Sequence, residues 1–228
     1  MTFEGIKHHT PKVILMKVTS RERPQILQQT VFKYIELAND LDNMIWLFTC
    51  DEDDLDTILM CKQLNLKNKL VAIGKSKNKI DAINRDVDRA EGWDILLNIS
   101  DDQLPVVKGY DDIIRQTMPN SLDYSLWFSD GWQNRINTQE IQGREYYKSF
   151  GYIYNPNYKS FFCDNESTEV AKELNRLILS NKCIIKHFHP GWDSQSHIKR
   201  DALYARNDSF WKHDEDLFNY RRSINFGL

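Results

Sequence analysis

Apolar residues recur with two different periods along this chain, and the order of those periods predicts its elements. Val13 to Val18 is an apolar run that ends in the polar stretch Thr19-Ser20-Arg21-Glu22-Arg23. Such a short run reads as a strand. Pro24 suits a first helical position, where its missing N–H costs nothing. Leu27, Val31, Tyr34 and Ala38 then recur at helical spacing until Asn39-Asp40. Met44 to Phe48 predicts a second strand that delivers Asp51-Glu52-Asp53-Asp54, and Leu55, Ile58 and Leu59 a short helix. Leu70 to Ile73 predicts a third strand, with a basic loop from Gly74 to Lys79. Ile80, Ile83, Val87 and Ala90 mark a third helix, and Ile95 to Ile99 a fourth strand. Strands separated by helices imply an α/β fold, a mainly parallel sheet flanked by helices with right-handed crossovers.

After residue 118 the rhythm changes. Leu122, Tyr124, Leu126 and Phe128 alternate with Asp123, Ser125, Trp127 and Ser129, which predicts a half-buried strand closed by the turn Asp130-Gly131. Tyr146 to Phe162 is dense in aromatics. Val170, Leu174 and Leu177 predict a helix, and Ile184 to His189 a last strand broken by Pro190-Gly191. Residues 191 to 206 carry no periodicity and read as a mobile loop. Asp208 is placed to cap a final helix bearing Trp211, Leu217 and Phe218.

Composition narrows the function classes. The net charge of −3 over 228 residues offers no basic field for nucleic acid. The nine glycines form neither a G-x-G-x-x-G nor a Walker A loop, which speaks against a dinucleotide-binding dehydrogenase and a P-loop kinase. The absence of G-x-S-x-G speaks against a hydrolase triad. Four cysteines, Cys50, Cys61, Cys163 and Cys183, are scattered, as expected of reduced thiols. Glu4, Lys7, His8 and His9 stand where a signal peptide needs an apolar core. No segment approaches the ~20 apolar residues of a membrane span. A soluble, cytoplasmic protein is expected.

The fourth strand carries the candidate chemistry. Trp93-Asp-Ile-Leu-Leu-Asn-Ile-Ser-Asp-Asp102 is an apolar run that stops on paired carboxylates. Ligand crevices of open α/β sheets lie beyond the carboxyl ends of the strands. Adjacent aspartates there suit a hard divalent cation that in turn grips a phosphate. His187 and His189 lie two apart, on one face of a strand, and imidazole is a further ligand type for Mn²⁺ or Zn²⁺. Asp164 and Glu166 precede a helix, where capping is the ordinary role. Trp127, Trp132, Tyr152 and Tyr154 are candidates for stacking on a sugar face, and Lys199, Arg200 and Arg206 for clamping a diphosphate.

These stretches together resemble the family 2-type glycosyltransferases of the GT-A fold. The resemblance rests on the Thr-Ser-Arg-Glu-Arg-Pro opening, the acidic loop after the second strand, Asn84-Arg85-Asp86, and Ile-Ser-Asp-Asp. It covers the first half of the chain. It implies a nucleotide-diphospho-sugar transferase fold in a single domain over 1–228. Residues 1–118 would form the nucleotide-sugar-binding half, and 119–206 the acceptor and catalytic half with a lid over 191–206. A C-terminal helix would occupy 207–228.

The implied activity is metal-dependent transfer of a sugar from a nucleoside diphosphate, with UDP-sugars favoured, to a glycan, lipid-linked or other hydroxyl acceptor, with inversion. The implied donor contacts are Thr19, Arg21, Asp51, Arg85 and Asp101. Asp102 and His189 would hold Mn²⁺ or Mg²⁺, and Asp164 or Glu166 would act as base. Ile99 stands where the family's longer Asp-x-Asp-Asp form has its first Asp. That departure keeps open a catalytically degenerate binding module, beside a sugar-nucleotide nucleotidyltransferase of the same fold.

Overall fold

The computed structural model describes residues 11–189, 191, 196 and 200–228. The first half follows the predicted alternation: β1 (Ile14–Thr19), α1 (Pro24–Leu37), β2 (Met44–Asp51), α2 (Leu55–Gln63), β3 (Lys69–Gly74), α3 (Lys79–Asn84) and β4 (Ile95–Ile99). It continues through β5 (Gln103–Pro105), α4 (Tyr110–Thr117), β6 (Ser125–Phe128), β7 (Ile141–Gly143) and α5 (Arg144–Phe150). The chain then forms α6 (Cys163–Glu173), β8 (Leu177–Ser180), β9 (Ile185–His187), α7 (Ala202–Asp208) and α8 (Trp211–Ser223). Seven strands form one sheet in the order β3-β2-β1-β4-β7-β6-β8, while β5 and β9 pair separately. β7 alone runs antiparallel, to both β4 and β6, so the sheet is mainly parallel.

β1 lies between β2 and β4 and shows why the core has two layers. Ile14, Met16 and Val18 face a cluster that includes Leu27, Val31 and Tyr34 of α1. Leu15 faces the opposite cluster, with Ile80 and Ile83 of α3 and Phe218 of α8. Alternate residues of a strand point to opposite faces, so one strand serves both layers. Leu27, Val31, Tyr34 and Ala38 are all buried, as the spacing predicts.

Several elements differ from the sequence expectation. In α2 only Ile58 of the three periodic residues is buried; Leu55 and Leu59 are exposed, and Thr57, Met60 and Cys61 face inward instead. The third helix breaks at Asp86, whose φ of 72° is left-handed, and resumes as one 3-10 turn at Val87–Arg89. β6 is buried at all four residues rather than half-buried: Leu126 and Phe128 enter the core cluster on one face, and Ser125 and Trp127 are covered on the other. Leu177 starts β8 instead of extending α6, since Asn175 turns left-handed with φ 55°. Asp208 ends α7 and does not cap α8, whose preceding residue is Phe210. Among the described residues no helix is long and apolar enough to cross a membrane.

Candidate functional site

The carboxyl ends of β1, β2 and β4 open into a cavity of about 490 Å³, closed on its other sides by the starts of α3 and α6 and by α7. Thr19, Arg21, Asp51, Asp101, Asp102, Asp164 and His189 all line it. Arg85 and Glu166 do not. The structure therefore brings together most of the residues singled out from sequence, on elements as distant as β1 and α6.

Asp101 and Asp102 are both buried, yet they are used differently. Asp101 accepts from Ser20 Oγ at 2.6 Å and from Arg23 Nη1 at 3.2 Å, and its carbonyl accepts from Thr30 Oγ1 at 2.9 Å. Burial and the neighbouring Asp102 push the Asp101 carboxyl above its ordinary range, against the pull of Arg23. Asp102 presents Oδ2 to His187 Nε2 and to the Tyr204 hydroxyl, each at 3.2 Å. Its Oδ1 is buried with no hydrogen-bond partner among the described residues. Burial opposes the Asp102 charge, but His187 outweighs it and holds the carboxyl well below the usual range. For His187, burial disfavours the cation, and Asp102 reverses the balance to raise its pKa.

An orphaned buried carboxylate oxygen fits a cation. Among the described residues no three His, Cys, Asp or Glu side chains converge to hold one unaided. A hard divalent ion bound through one or two carboxylates plus phosphate oxygens has no need of such a cage. Asp102 is the side chain suited to that role, with Asp101 already committed to Ser20 and Arg23. His187 contacts Asp102, and His189 stands edge-on to His187 with ring centroids 5.5 Å apart.

At the end of β2, Asp51 Oδ1 accepts from the Ser76 amide at 3.1 Å and Oδ2 from Arg21 Nη1 at 2.6 Å. Arg21 also grips Asp53 with two bonds of 2.7 Å. Arg21 thus borders the cavity with its guanidinium spread over two carboxylates. Arg85 sits outside the cavity, donating to the carbonyls of Cys50 (2.6 Å) and Gly74 (3.3 Å) and to Ser76 Oγ (3.0 Å). It ties the ends of β2 and β3 together beneath the Asp51 pocket.

The start of α6 depends on Phe162, a bulky residue with a left-handed φ of 59°. Such a conformation costs on the order of 1–3 kcal/mol and persists where surrounding contacts impose it. Here the Phe162 ring packs against Trp211 and Phe218 of α8. Asp214, fully buried on α8, accepts the amides of Lys159, Ser160 and Phe161 at 3.1, 2.8 and 2.8 Å. These contacts deliver Asp164 to the cavity, where burial raises its pKa against the opposing charge of Lys79.

Glu166, two residues further along α6, points away from the cavity. Asn155, Tyr158 and Arg221 occupy its oxygens at 2.7–2.8 Å, so its role is to fasten α6 to α8. Among the candidate stacking residues, Tyr154 lines the cavity, Trp127 is core, and exposed Trp132 lies outside it.

The lid expectation over 191–206 falls in part on 192–195 and 197–199, Lys199 included, which lie outside the described residues. Residues 202–206 belong to α7 and are helical rather than loop. Arg23 bridges to Asp201 with two bonds of 2.8 Å and lies 4.8 Å from the Tyr204 ring centroid. Arg200 pairs with Asp208.

Three residues escaped the sequence reading. Asp214 gives no motif signal. Tyr204 lies in a helix that buries nothing, so no periodicity exposes it. Lys17 sits inside an apolar strand, and that interruption was the available clue. Its ammonium, fully buried below the cavity floor, donates to Thr49 Oγ1 at 2.5 Å and the Ala82 carbonyl at 3.0 Å. Burial lowers its pKa to about 7, against the attraction of Asp86.

No protein-family model and no curated protein matches the sequence. Solved structures do. A mannosyltransferase, PcManGT of Pyrobaculum calidifontis in complex with GDP-Man and Mn²⁺, superposes with a TM-score of 0.65 at 11% identity, over 87% of this chain and 60% of that one. TarS 1-349 of S. aureus in complex with UDP gives 0.58 at 15% identity, over 76% of this chain and 60% of that one. TarS without a stated ligand gives 0.59 at 15% identity, over 95% and 74%. The chain thus spans about 60% of the mannosyltransferase's length. The chain therefore has a GT-A-like fold, the fold of the glycosyltransferase structures it superposes on.

Proposed function

We propose that this protein is a glycosyltransferase that moves a sugar from a nucleoside diphosphate to an acceptor hydroxyl. The observation that carries the reading is Asp102 Oδ1, a buried carboxylate oxygen with no hydrogen-bond partner among the described residues, in a cavity that Asp164 also lines. In this reading the Asp51 carboxylate, oriented by Arg21 and the Ser76 amide, accepts from a base N–H. That suits uracil or guanine rather than adenine. Asp101 braces the floor through Ser20 and Arg23, and Asp102 holds a Mn²⁺ or Mg²⁺ brought with the diphosphate. The bound ion would neutralise charge on the departing diphosphate. Asp164, whose pKa burial raises, takes the acceptor proton as the new bond forms. One displacement gives inversion. The nucleotide half over 1–118, the acceptor half over 119–206 and the C-terminal helix over 207–228 are the division this reading assigns.

A thermal-shift screen of sugar nucleotides with Mn²⁺ and with EDTA identifies the donor, since a ligand of the native state raises the melting temperature. Release of the nucleoside diphosphate then tests the base. Asp164→Asn is expected to bind the donor and lose turnover, while Glu166→Gln keeps turnover at reduced stability. Loss of turnover only in Glu166→Gln would overturn the assignment. A second reading, a GT-A domain that binds a nucleotide sugar without turnover, is favoured by Ile99 at the Asp-x-Asp position. Donor binding with no release in Mn²⁺ would select it.

A further inference from the structure

Five basic side chains line the cavity among the described residues: Arg21, Arg23, Lys79, Arg200 and Arg206. Three are committed to carboxylates, Arg21 to Asp51 and Asp53, Arg23 to Asp101 and Asp201, and Arg200 to Asp208. Arg206 and Lys79 make no ion pair with a described residue. Arg206 belongs to α7, whereas Lys79 opens α3 at the cavity mouth.

Among the described residues no hydrogen bond or ion pair engages the Lys79 side chain. Asn78 caps α3 by accepting from the Asp81 amide at 2.9 Å, and Lys79 itself is exposed. Its charge nonetheless acts on Asp102, Asp164, His187 and His189. An ammonium that makes no ion pair with a described residue, lining the same cavity as the Asp102 carboxylate, is suited to an anion entering that cavity. Ile99 sharpens the case. With one carboxylate fewer than the family's longer motif, the protein offers a divalent ion fewer oxygens, and a resident cation can share the neutralisation.

We propose that Lys79 binds the donor diphosphate directly, so that part of the affinity for a nucleoside diphosphate does not depend on metal. This inference rests on the donor-site reading above. Ammonium–phosphate contacts are charge-assisted hydrogen bonds, and the ammonium reaches a phosphate oxygen without bidentate geometry.

Isothermal titration in EDTA, with UDP and GDP each set against its nucleoside, tests it. The parent protein is expected to bind its preferred diphosphate about tenfold more tightly than the nucleoside, the worth of one charge-assisted bond. Lys79→Met should abolish that preference and leave nucleoside affinity and melting temperature unchanged, while Lys79→Arg restores most of it. A diphosphate preference that survives Lys79→Met, or that is missing from the parent in EDTA, overturns the role of Lys79 alone. Failure of all four ligands to bind in either EDTA or Mn²⁺ overturns the donor-site reading and the lysine's role with it.

Discussion

The two walls of the cavity are built by opposite means. The strand-end wall carries Thr19 and Asp51 at the ends of β1 and β2 and Asp101 and Asp102 in the turn just beyond β4, with β1 in parallel register with both neighbours from Ile14 to Val18. Its side chains are tied by short local bonds, such as Ser20 Oγ to Asp101 at 2.6 Å. The facing wall, from Tyr158 to Asp164 and on through α7, has no strand beneath it. It hangs on side chains of distant segments: Asp214, Arg221 and Phe218 from α8, and Arg23 from the loop before α1. One wall inherits its geometry from a sheet, and the other from a handful of buried charges and rings. Substitutions should therefore alter chemistry more than shape on the first wall and shape on the second.

The sharpest test is Asp102→Asn. The variant keeps the size of the side chain and removes the charge, so metal-dependent binding of UDP or GDP should fall by at least about 100-fold, or about 3 kcal/mol. The melting temperature should also fall, by the lost attraction to His187, so affinity is compared at a temperature where both proteins are folded. Calorimetric titration in Mn²⁺ decides it, and unchanged affinity would mean that the cation lies elsewhere.

Asp214→Ala should show the opposite profile. It strips the partner from the amides of Lys159, Ser160 and Phe161, at a cost of about 4 kcal/mol in unfolding free energy. Urea denaturation measures the loss. A stability change below a quarter of that value would show that the facing wall does not hang on α8.

Lys17 probes what lies beneath the strand ends. Its folded pKa of about 7 lies below the 10.5 of the free side chain, so between those values the unfolded chain binds the extra proton. Stability of the parent should then rise with pH across that window. Lys17→Met has no such term. Its advantage over the parent should be greatest near pH 7 and narrow by roughly 3 kcal/mol toward pH 10. Parallel stability curves for the two proteins would place the proton on folded Lys17 throughout.

The smallest effect belongs to the tie between α7 and Arg23. Asp201 is 41% exposed at its side chain, so its bond to Arg23 is partly screened. Asp201→Asn should cost less than about 1 kcal/mol. Its readout is faster tryptic cleavage after Arg206 with the rest of the digest unchanged. Equal cleavage rates would show that α7 is held by Tyr204 and Asp102 instead.

The same contrast explains what could be read from sequence. Ile95–Ile99 is buried at every residue and flanked by polar stretches, so both the strand and the carboxylates at its end were legible. After residue 118 the signals fail for physical reasons. β7 has three residues, too few for alternation to register, and α7 buries no side chain, so it has no amphipathic stripe. Leu177 kept helical spacing with Val170 and Leu174, and only the left-handed Asn175 ends the helix before it. Asp164 and Glu166 looked equivalent two residues apart, and Arg221, far along the chain, separates their roles. Arg85 was placed with the donor because its neighbours carry a family motif, whereas its guanidinium points to backbone carbonyls.

Phe162 makes the facing wall tunable from a distance. Its left-handed backbone is the joint at which the chain turns into α6, and its ring is seated on Trp211 and Phe218. A change in how α8 packs is therefore expected to reach Asp164 through that joint, while Asp101 and Asp102 follow the end of β4. In the glycosyltransferase reading, substitutions on α8 would then bear on the base more than on the donor carboxylates, which answer instead to His187, Tyr204 and, through Arg23, Asp201.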